Sequence, residues 1–489
     1  MSETNQNGAM VKFYRGNNIP LELHKVRVVQ KLHLNPIEDR LRALREAGFN
    51  SFLLKTKDTF LDMLTDSGCN AMSDRQTAAM MIADDAYAGS QSYDRMEAKV
   101  LELFGKQFIL PVHQGRAAEN IISRAFIQPG DHIPMNYHFT TTKAHIELNG
   151  GTIHEIYTDE ALKIKSDHPF KGNMDIEKLK TVINEFGAEG IPFIRLEAST
   201  NLIGGQPFSM KNMRQVREVA NKAGIMIVLD ASLIGENAWF IKQRESEYHH
   251  KGMGAIIREM SDLSDLVYFS ARKLSSSRGG IICTAREDLY DQMRDMVPLF
   301  EGFLTYGGMS VREIEAMAVG LEETLDNHMI CQSPSFIDYF VRKVDGLGIP
   351  VVTPGGALGA HIDAGSFLSH IPQTQYPAGA LVSAFYLISG IRGMERGTVS
   401  SVRLDDGSDL PADIELMRLA FPRRVFTLSQ IEYAIDRLCW LYENRQLVGG
   451  LEWEKEPKVL RFFVGRLKPI GDWPERLMAK FRSDFGESL

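Results

Sequence analysis

Between about residue 90 and residue 285, short apolar runs alternate with stretches whose apolar residues recur every three or four positions. The runs are QFILPV, DHIPM, IPFIRLEA, IMIVLD, DLVYFS and GIICTA, and the periodic stretches between them include AAENIISRAF, IEKLKTVINEF and MRQVREVANKAG. Strands separated by helices of roughly ten residues read as βαβ units, which build a mostly parallel sheet with helices on both faces.

Past residue 310 the pattern changes. REIEAMAVGLEETLDNHMICQSPSFIDYFVRKVDGLG reads as a long helical stretch stopped by Gly346 and Gly348, a natural hinge. Beyond it, IPVVT, AHIDA and the run from Met417 to Phe421 read as short strands, and ALVSAFYLISG and SQIEYAIDRLCWLYEN as helices, which suits a smaller α+β unit. The final WPERLMAKFRSDFGESL reads as a solvated amphipathic helix. Length points the same way: 489 residues exceed the roughly 250–300 at which one core stops growing, so two domains are expected.

Composition narrows the class. Hydrophobic residues at 44% and charged residues at 24% are those of a folded globular chain, which excludes disorder, collagen and coiled coil as global descriptions. A net charge of −8 offers no basic field to a nucleic acid. Met1 to Pro20 holds no apolar signal core, and no stretch reaches about 18 uncharged apolar residues, so neither export nor membrane insertion is expected. Cys69, Cys283, Cys331 and Cys439 are scattered without a CxxC pair, which suggests neither a disulfide framework nor a zinc site and fits a reducing cytoplasm.

Four features of the first unit carry candidate chemistry. HQGRAAEN at 113–120 is a strand-to-helix turn in which Gly115 admits close backbone approach and Arg116 stands in the first helical turn, an anion site suited to phosphate. Phe139 follows a predicted strand. Asp230 ends the strand IMIVLD, and Ser270-Ala271-Arg272-Lys273 follows the strand DLVYF, so a carboxylate and a lysine reach one edge of the sheet, where open α/β sheets bind ligands. Pyridoxal 5'-phosphate needs that set: a lysine for the Schiff base, an aspartate to keep the pyridine nitrogen protonated, an aromatic over the ring and a helix start for the phosphate.

The segments FLLKTKD (52–58), LTDSGCNAMSD (64–74), DDAYAGSQSY (84–93), HQGRAAEN, HFTTTKAH, TNLIGGQP (200–207), GENAWFIK (235–242), YGG (306–308), GMERG (393–397), FPRRVFT (421–427) and EPKVLRFF (456–463) occur in family order over about residues 30–470. By these the chain resembles the β-eliminating lyases, the pyridoxal-phosphate enzymes that include tyrosine phenol-lyases and tryptophanases. The resemblance implies an α/β fold of the aspartate aminotransferase type (fold type I), with a large, mostly parallel-sheet cofactor domain and a smaller α+β domain. The expected division is an N-terminal arm with part of the small domain at 1–55, the large domain at 56–325, the small domain at 326–470 and an extension at 471–489. A homotetramer is implied, acting on a small-molecule amino acid.

Residue by residue, the resemblance makes Lys273 the Schiff-base lysine and the base for the substrate α-proton. Gln114, Gly115, Arg116, Ser270 and Arg272 would hold the phosphate, Phe139 would stack on the ring, Asn201 would bond its phenolic oxygen, and Asp230 its nitrogen. Thr65, Ser67 and Arg423 would receive the substrate carboxylate. Tyr87 would contact the cofactor and protonate the leaving group, with Tyr306 lent by a neighbouring subunit. Thr140 and Arg396 match the phenol-lyase branch, where such a pair recognises the phenolic oxygen, and Phe52, Phe462 and Phe463 would wall the leaving group. Asp85 stands where the family has a glutamate completing a monovalent-cation (K+) site.

Three departures stand out. Leu233 replaces the family's arginine beside the ring oxygen, Leu274 replaces the acidic residue after the Schiff-base lysine, and the loop from Lys273 to Gly279 is one residue short. The implied activity is β-elimination giving pyruvate and ammonia, with an altered substrate. β-Replacement, γ-elimination, transamination or a catalytically inactive homologue are the alternatives.

Overall fold

The computed structural model describes residues 13–14, 19–401, 403–404, 406–457 and 460–489. Most of the 1–20 stretch and residues 458 and 459 of the 456–463 segment lie outside the described residues. The main sheet has seven strands: β1 Phe108–Val112, β2 His132–Met135, β3 Thr152–Glu155, β4 Phe193–Glu197, β5 Met226–Asp230, β6 Leu266–Ser270 and β7 Gly280–Thr284. Their order is β1-β7-β6-β5-β4-β2-β3, parallel throughout except for β7, which runs antiparallel to both neighbours. This is the expected mostly parallel α/β sheet.

Period-two alternation sets the two faces of the sheet. On β5, Ile227 and Leu229 join one core, while Val228 joins a second core with Leu266 and Tyr268 of β6 and the helix Gly115–Phe126. The register aligns the carboxyl ends: Glu197 of β4 lies opposite Asp230, and Asp230 opposite Tyr268. Turn chemistry fixes the helix entering β5, since the Ser209 hydroxyl accepts the Asn212 N–H at 3.0 Å and Gly224, at φ 69°, ends the helix Met210–Ala223.

A further core joins residues of 37–64 with residues of 336–481, around an antiparallel sheet of Gly359–Asp363, Leu416–Ala420 and Met394–Arg396. The expected long helix after residue 310 is three helices, Val311–Glu323, Asn327–Ile330 and Gln332–Gly346. Asp326 breaks the run by capping the second: its carboxylate accepts the His328 N–H at 2.9 Å. IPVVT makes one isolated bridge, Val351 to Ile362, instead of a strand. The C-terminal run is a helix over Trp473–Phe485, but it is docked rather than free, with Trp473, Leu477 and Phe481 fully buried. Among the described residues no helix is long and apolar enough to cross a membrane.

Candidate active site

A cavity of about 330 Å³ opens at the carboxyl ends of β4, β5 and β6. Fifteen of the residues singled out above line it: Phe52, Thr65, Ser67, Gln114, Gly115, Arg116, Phe139, Thr140, Asn201, Asp230, Ser270, Arg272, Lys273, Phe462 and Phe463. Leu233 lines it too.

Lys273 is carried by a single helical turn, Ala271–Leu274, that leaves β6 directly. Its Nζ lies 4.9 Å from the centroid of the Phe139 ring. Beside it the helix Gly115–Phe126 begins with no side-chain cap. A Cβ on Gly115 would come within 2.9 Å of Ser270 Cβ, so only glycine lets the helix start close against the lysine turn. Gly68, at φ +76°, does the same for Arg272, whose Nη2 lies 2.5 Å from where its Cβ would stand.

Asp230 is buried and receives three donors. Ser232 N–H donates to Oδ1 at 3.0 Å, and Arg195 Nη2 and Tyr268 OH donate to Oδ2 at 2.7 and 3.0 Å. Asn201 donates its N–H to Glu197 Oε1 at 3.2 Å and accepts Arg418 Nη1 on its side-chain oxygen at 2.6 Å. Two cavity glutamates are pushed toward the neutral form. Burial raises Glu197 to about 7, partly offset by Arg195, and burial raises Glu119 against the hydroxyls of Thr141 and Thr142.

Arg423 requires a correction. It lies outside the cavity with its guanidinium fully committed: Nε donates to Glu236 Oε1 at 2.7 Å, Nη2 pairs with the same carboxylate, and Nη1 donates to the carbonyls of Lys273 and Leu274 at 3.0 and 2.8 Å. It braces the lysine turn from behind. Besides Arg116 and Arg272, the guanidinium that lines the cavity is that of Arg418, in the strand Leu416–Ala420. Its Nη2 donates to the Leu64 carbonyl at 2.9 Å, its Nε is buried without a hydrogen-bond partner among the described residues, and burial lowers its pKa to about 10.

Arg396 lies beside the cavity rather than in its wall. It is buried, and it lines an adjoining chamber of about 290 Å³ that shares Thr140, Met394 and Phe462 with the first. Its Nε donates to the Leu202 carbonyl at 3.0 Å, and its Nη2 to Tyr137 OH at 2.6 Å and to Asp413 Oδ1 at 3.1 Å. Thr140 and Arg396 both line this adjoining chamber, with Thr140 standing where it meets the cavity. Phe52, Phe462 and Phe463 do come together, with Phe52 edge-on to the other two at centroid distances of 5.5 and 4.9 Å.

Tyr87 and Tyr306 lie outside this cavity. They touch each other, ring centroids 5.2 Å apart, and Tyr87 stacks on Phe303 at 5.5 Å while remaining largely exposed. Asp85 nearby faces the Arg312 guanidinium at 3.5 Å, and no group of three His, Cys, Asp or Glu among the described residues is arranged to hold a metal. Leu274 is buried core. Sequence reasoning missed Glu119, Arg195, Glu197, Tyr268 and Arg418. The available signal was Arg195 and Glu197 interrupting the run PFIRLEA, since charges inside a buried strand are costly unless paired.

A lysine and an aspartate at neighbouring strand ends, facing one cavity with an uncapped helix start, define a pyridoxal-phosphate enzyme of the aspartate aminotransferase fold type. Solved structures agree on the fold. The chain is similar to aspartate aminotransferase from Thermotoga maritima, with a TM-score of 0.56, 13% identity and coverage of 83% of this chain and 96% of that one. It is also similar to serine palmitoyltransferase from S. paucimobilis, with a TM-score of 0.53, 12% identity and coverage of 80% and 88%. In sequence, the family model for beta-eliminating lyases matches residues 62–436. The chain is 43% identical over 454 residues to tyrosine phenol-lyase of Pasteurella multocida, covering 92% of this chain and 99% of the relative. It is 44% identical over 451 residues to that of Lacrimispora saccharolytica, covering 92% and 96%. The chain belongs to the β-eliminating lyase family and is a pyridoxal-phosphate-dependent lyase acting on an amino acid.

Proposed function

We propose that the protein removes the β-substituent from an amino acid by chemistry like that of tyrosine phenol-lyase, releasing pyruvate and ammonia, on a substrate other than tyrosine. The observation that carries the reading is Lys273 and Asp230 facing one cavity with Arg418, whose buried Nε lacks a partner among the described residues. The same cavity fits the cofactor: a glycine cradle against Ser270, free N–H groups at a helix start, and an aromatic ring beside the lysine. When bound, pyridoxal phosphate supplies the electron sink for the charge left by the α-proton.

Gln114, Gly115, Arg116, Ser270 and Arg272 would hold the phosphate, Phe139 would cover the ring, Asn201 would bond its phenolic oxygen and Asp230 its nitrogen. Lys273 would anchor the cofactor and take the α-proton. Arg418, with Thr65 and Ser67, receives the carboxylate through a planar guanidinium suited to that anion. Phe52, Phe462 and Phe463 exclude water from the leaving group. Tyr87 and Tyr306 are lent together by a neighbouring copy, so the active form is a homo-oligomer, at least a dimer. The core clusters support a cofactor domain near 56–325 and a smaller domain near 326–470, and four free cysteines support a reducing compartment such as the cytoplasm.

Two features argue for a substrate other than tyrosine. Arg396 is already engaged by Tyr137 and Asp413, and Leu233 puts an apolar side chain in the cavity wall. The test is a panel of β-substituted amino acids assayed for keto acid and for the released substituent. Keto acid with loss of the β-substituent is expected from a polar, activated amino acid, with slow phenol release from tyrosine. Keto acid with the substituent retained points to transamination, and fast phenol release overturns the altered-substrate reading. Leu233→Arg should raise the rate on tyrosine.

A further inference from the structure

Beneath Asp230 lies a buried ionic layer that the scheme above does not use. Arg195 and Glu197 on β4, Tyr268 on β6 and Glu119 on the helix Gly115–Phe126 all reach the sheet face of Asp230, and all are nearly or fully buried. The Arg195 guanidinium ties the layer together. Its Nη2 donates to Asp230 Oδ2 at 2.7 Å, its Nη1 to Glu197 Oε2 at 3.5 Å, and its Nε and Nη2 to Tyr268 OH at 3.0 and 2.9 Å. Tyr268 OH in turn donates to the same Asp230 oxygen at 3.0 Å.

The charged and titratable groups facing Asp230 are Glu119 from the helix, Arg195 and Glu197 from β4, Tyr268 from β6 and Lys273 from the turn after β6. Three carboxylates thus share a buried volume with two cations, and Lys273 is the one committed to the cofactor. An aspartate holds a proton on a pyridine nitrogen only while it is itself an anion, and a guanidinium bonded to a carboxylate favours the anion. Arg195 bonds Asp230 without itself lining the cavity, and both glutamates are pushed by burial toward the neutral form, which leaves the one guanidinium chiefly to Asp230.

Resting on the assignment of Asp230 to the ring nitrogen, we propose that Arg195, seconded by Tyr268, is a positioning residue that keeps Asp230 ionised and thereby keeps the proton on the cofactor's pyridine nitrogen. Arg195 does not touch the substrate. It acts through Asp230 and sets how strongly the cofactor withdraws electrons, in a site where Leu233 contributes no charge. Because a guanidinium in a buried layer binds two oxygens in a fixed plane, lysine should replace it only in part.

The experiment uses the full-length holoenzyme reconstituted with pyridoxal phosphate labelled with ¹⁵N in the ring, whose resonance reports directly whether that nitrogen is protonated. The unaltered protein should show a protonated nitrogen. Arg195→Met should move the resonance more than half of the way to the unprotonated position, Arg195→Lys should recover part of that shift, and Tyr268→Phe, which removes a single oxygen, should move it less in the same direction. If Arg195→Met fails to fold, Arg195→Lys and Tyr268→Phe carry the test. A resonance unmoved in Tyr268→Phe and in every Arg195 variant that binds cofactor overturns the inference. Asp230→Asn separates the two levels. If it abolishes protonation while the Arg195 and Tyr268 variants keep it, the assignment of Asp230 stands and the role of Arg195 fails. If Asp230→Asn leaves the nitrogen protonated, the assignment of Asp230 itself is wrong.

Discussion

Arg418 and Arg423 stand five residues apart in one run, LMRLAFPRRVF, and the two do opposite jobs. Arg418 faces the cavity with an unused donor, so Arg418→Ala should lower kcat/KM for the amino acid by about a hundredfold, as when a charged hydrogen bond worth roughly 2–3 kcal/mol is lost, mainly through KM. Arg423 is locked to Glu236 inside the protein, so Arg423→Ala should cost about 3–5 kcal/mol in chemical denaturation by leaving Glu236 buried and unpaired. The reverse pattern, with KM moved by Arg423 and stability by Arg418, would refute both placements. Which arginine faces the cavity was not legible, because the choice depends on the pairing of Arg418 with His361 and Met394, strands distant in sequence. Glu197 yields a prediction with a defined sign. Its folded pKa, about 7, lies above the ordinary 4.5, so the folded state binds the proton more tightly and stability falls as pH rises from about 4.5 to about 7. Glu197→Gln should flatten denaturation midpoints across that window, by up to about 3 kcal/mol. An unchanged slope would show that Glu197 is charged throughout.

At the scale of elements, the helix Gly115–Phe126 links sequence to chemistry most directly. Its first N–H groups have no side-chain cap, and its dipole favours an anion at that end. Gly115→Ala drives a Cβ against Ser270, which separates the helix start from the lysine turn, so cofactor affinity should fall about tenfold or more in equilibrium titration while secondary structure is retained. Unaltered affinity would mean that the phosphate is held elsewhere. This helix and β4 to β7 were readable because strands buried on both faces are largely apolar runs bounded by turns. The edge strand Thr152–Glu155 was not, since its residues are partly or well exposed and carry no such signal. The C-terminal helix was recognised by its periodicity, but whether its apolar side meets solvent or a core depends on partners such as the helix Pro377–Ser389, nearly a hundred residues earlier.

At the scale of the whole molecule, the cavity wall offers one tyrosine hydroxyl among the described residues, that of Tyr268. The Tyr268 hydroxyl, in the cavity wall, is committed to Arg195 and Asp230, whereas Tyr87 and Tyr306 are paired on the outside, with Tyr87 largely exposed beside Phe303 and Asp85 facing Arg312 close by. An exposed cluster of aromatics with a charge pair is what an interface contributes to a partner, and a two-fold axis would make the loan reciprocal. Subunits carrying Lys273→Ala lack the anchoring lysine but still offer Tyr87, while subunits carrying Tyr87→Phe keep the lysine and lack the tyrosine. In a random mixture half of the dimers contain one of each, and in these one site of the two is complete, so the mixture should regain about a quarter of the unaltered activity although each variant alone is nearly inactive. The assay is unfolding, mixing and refolding with cofactor, followed by keto-acid release and a sedimentation measurement to establish that mixed oligomers formed. Mixed oligomers without regained activity would mean that Tyr87 serves its own chain.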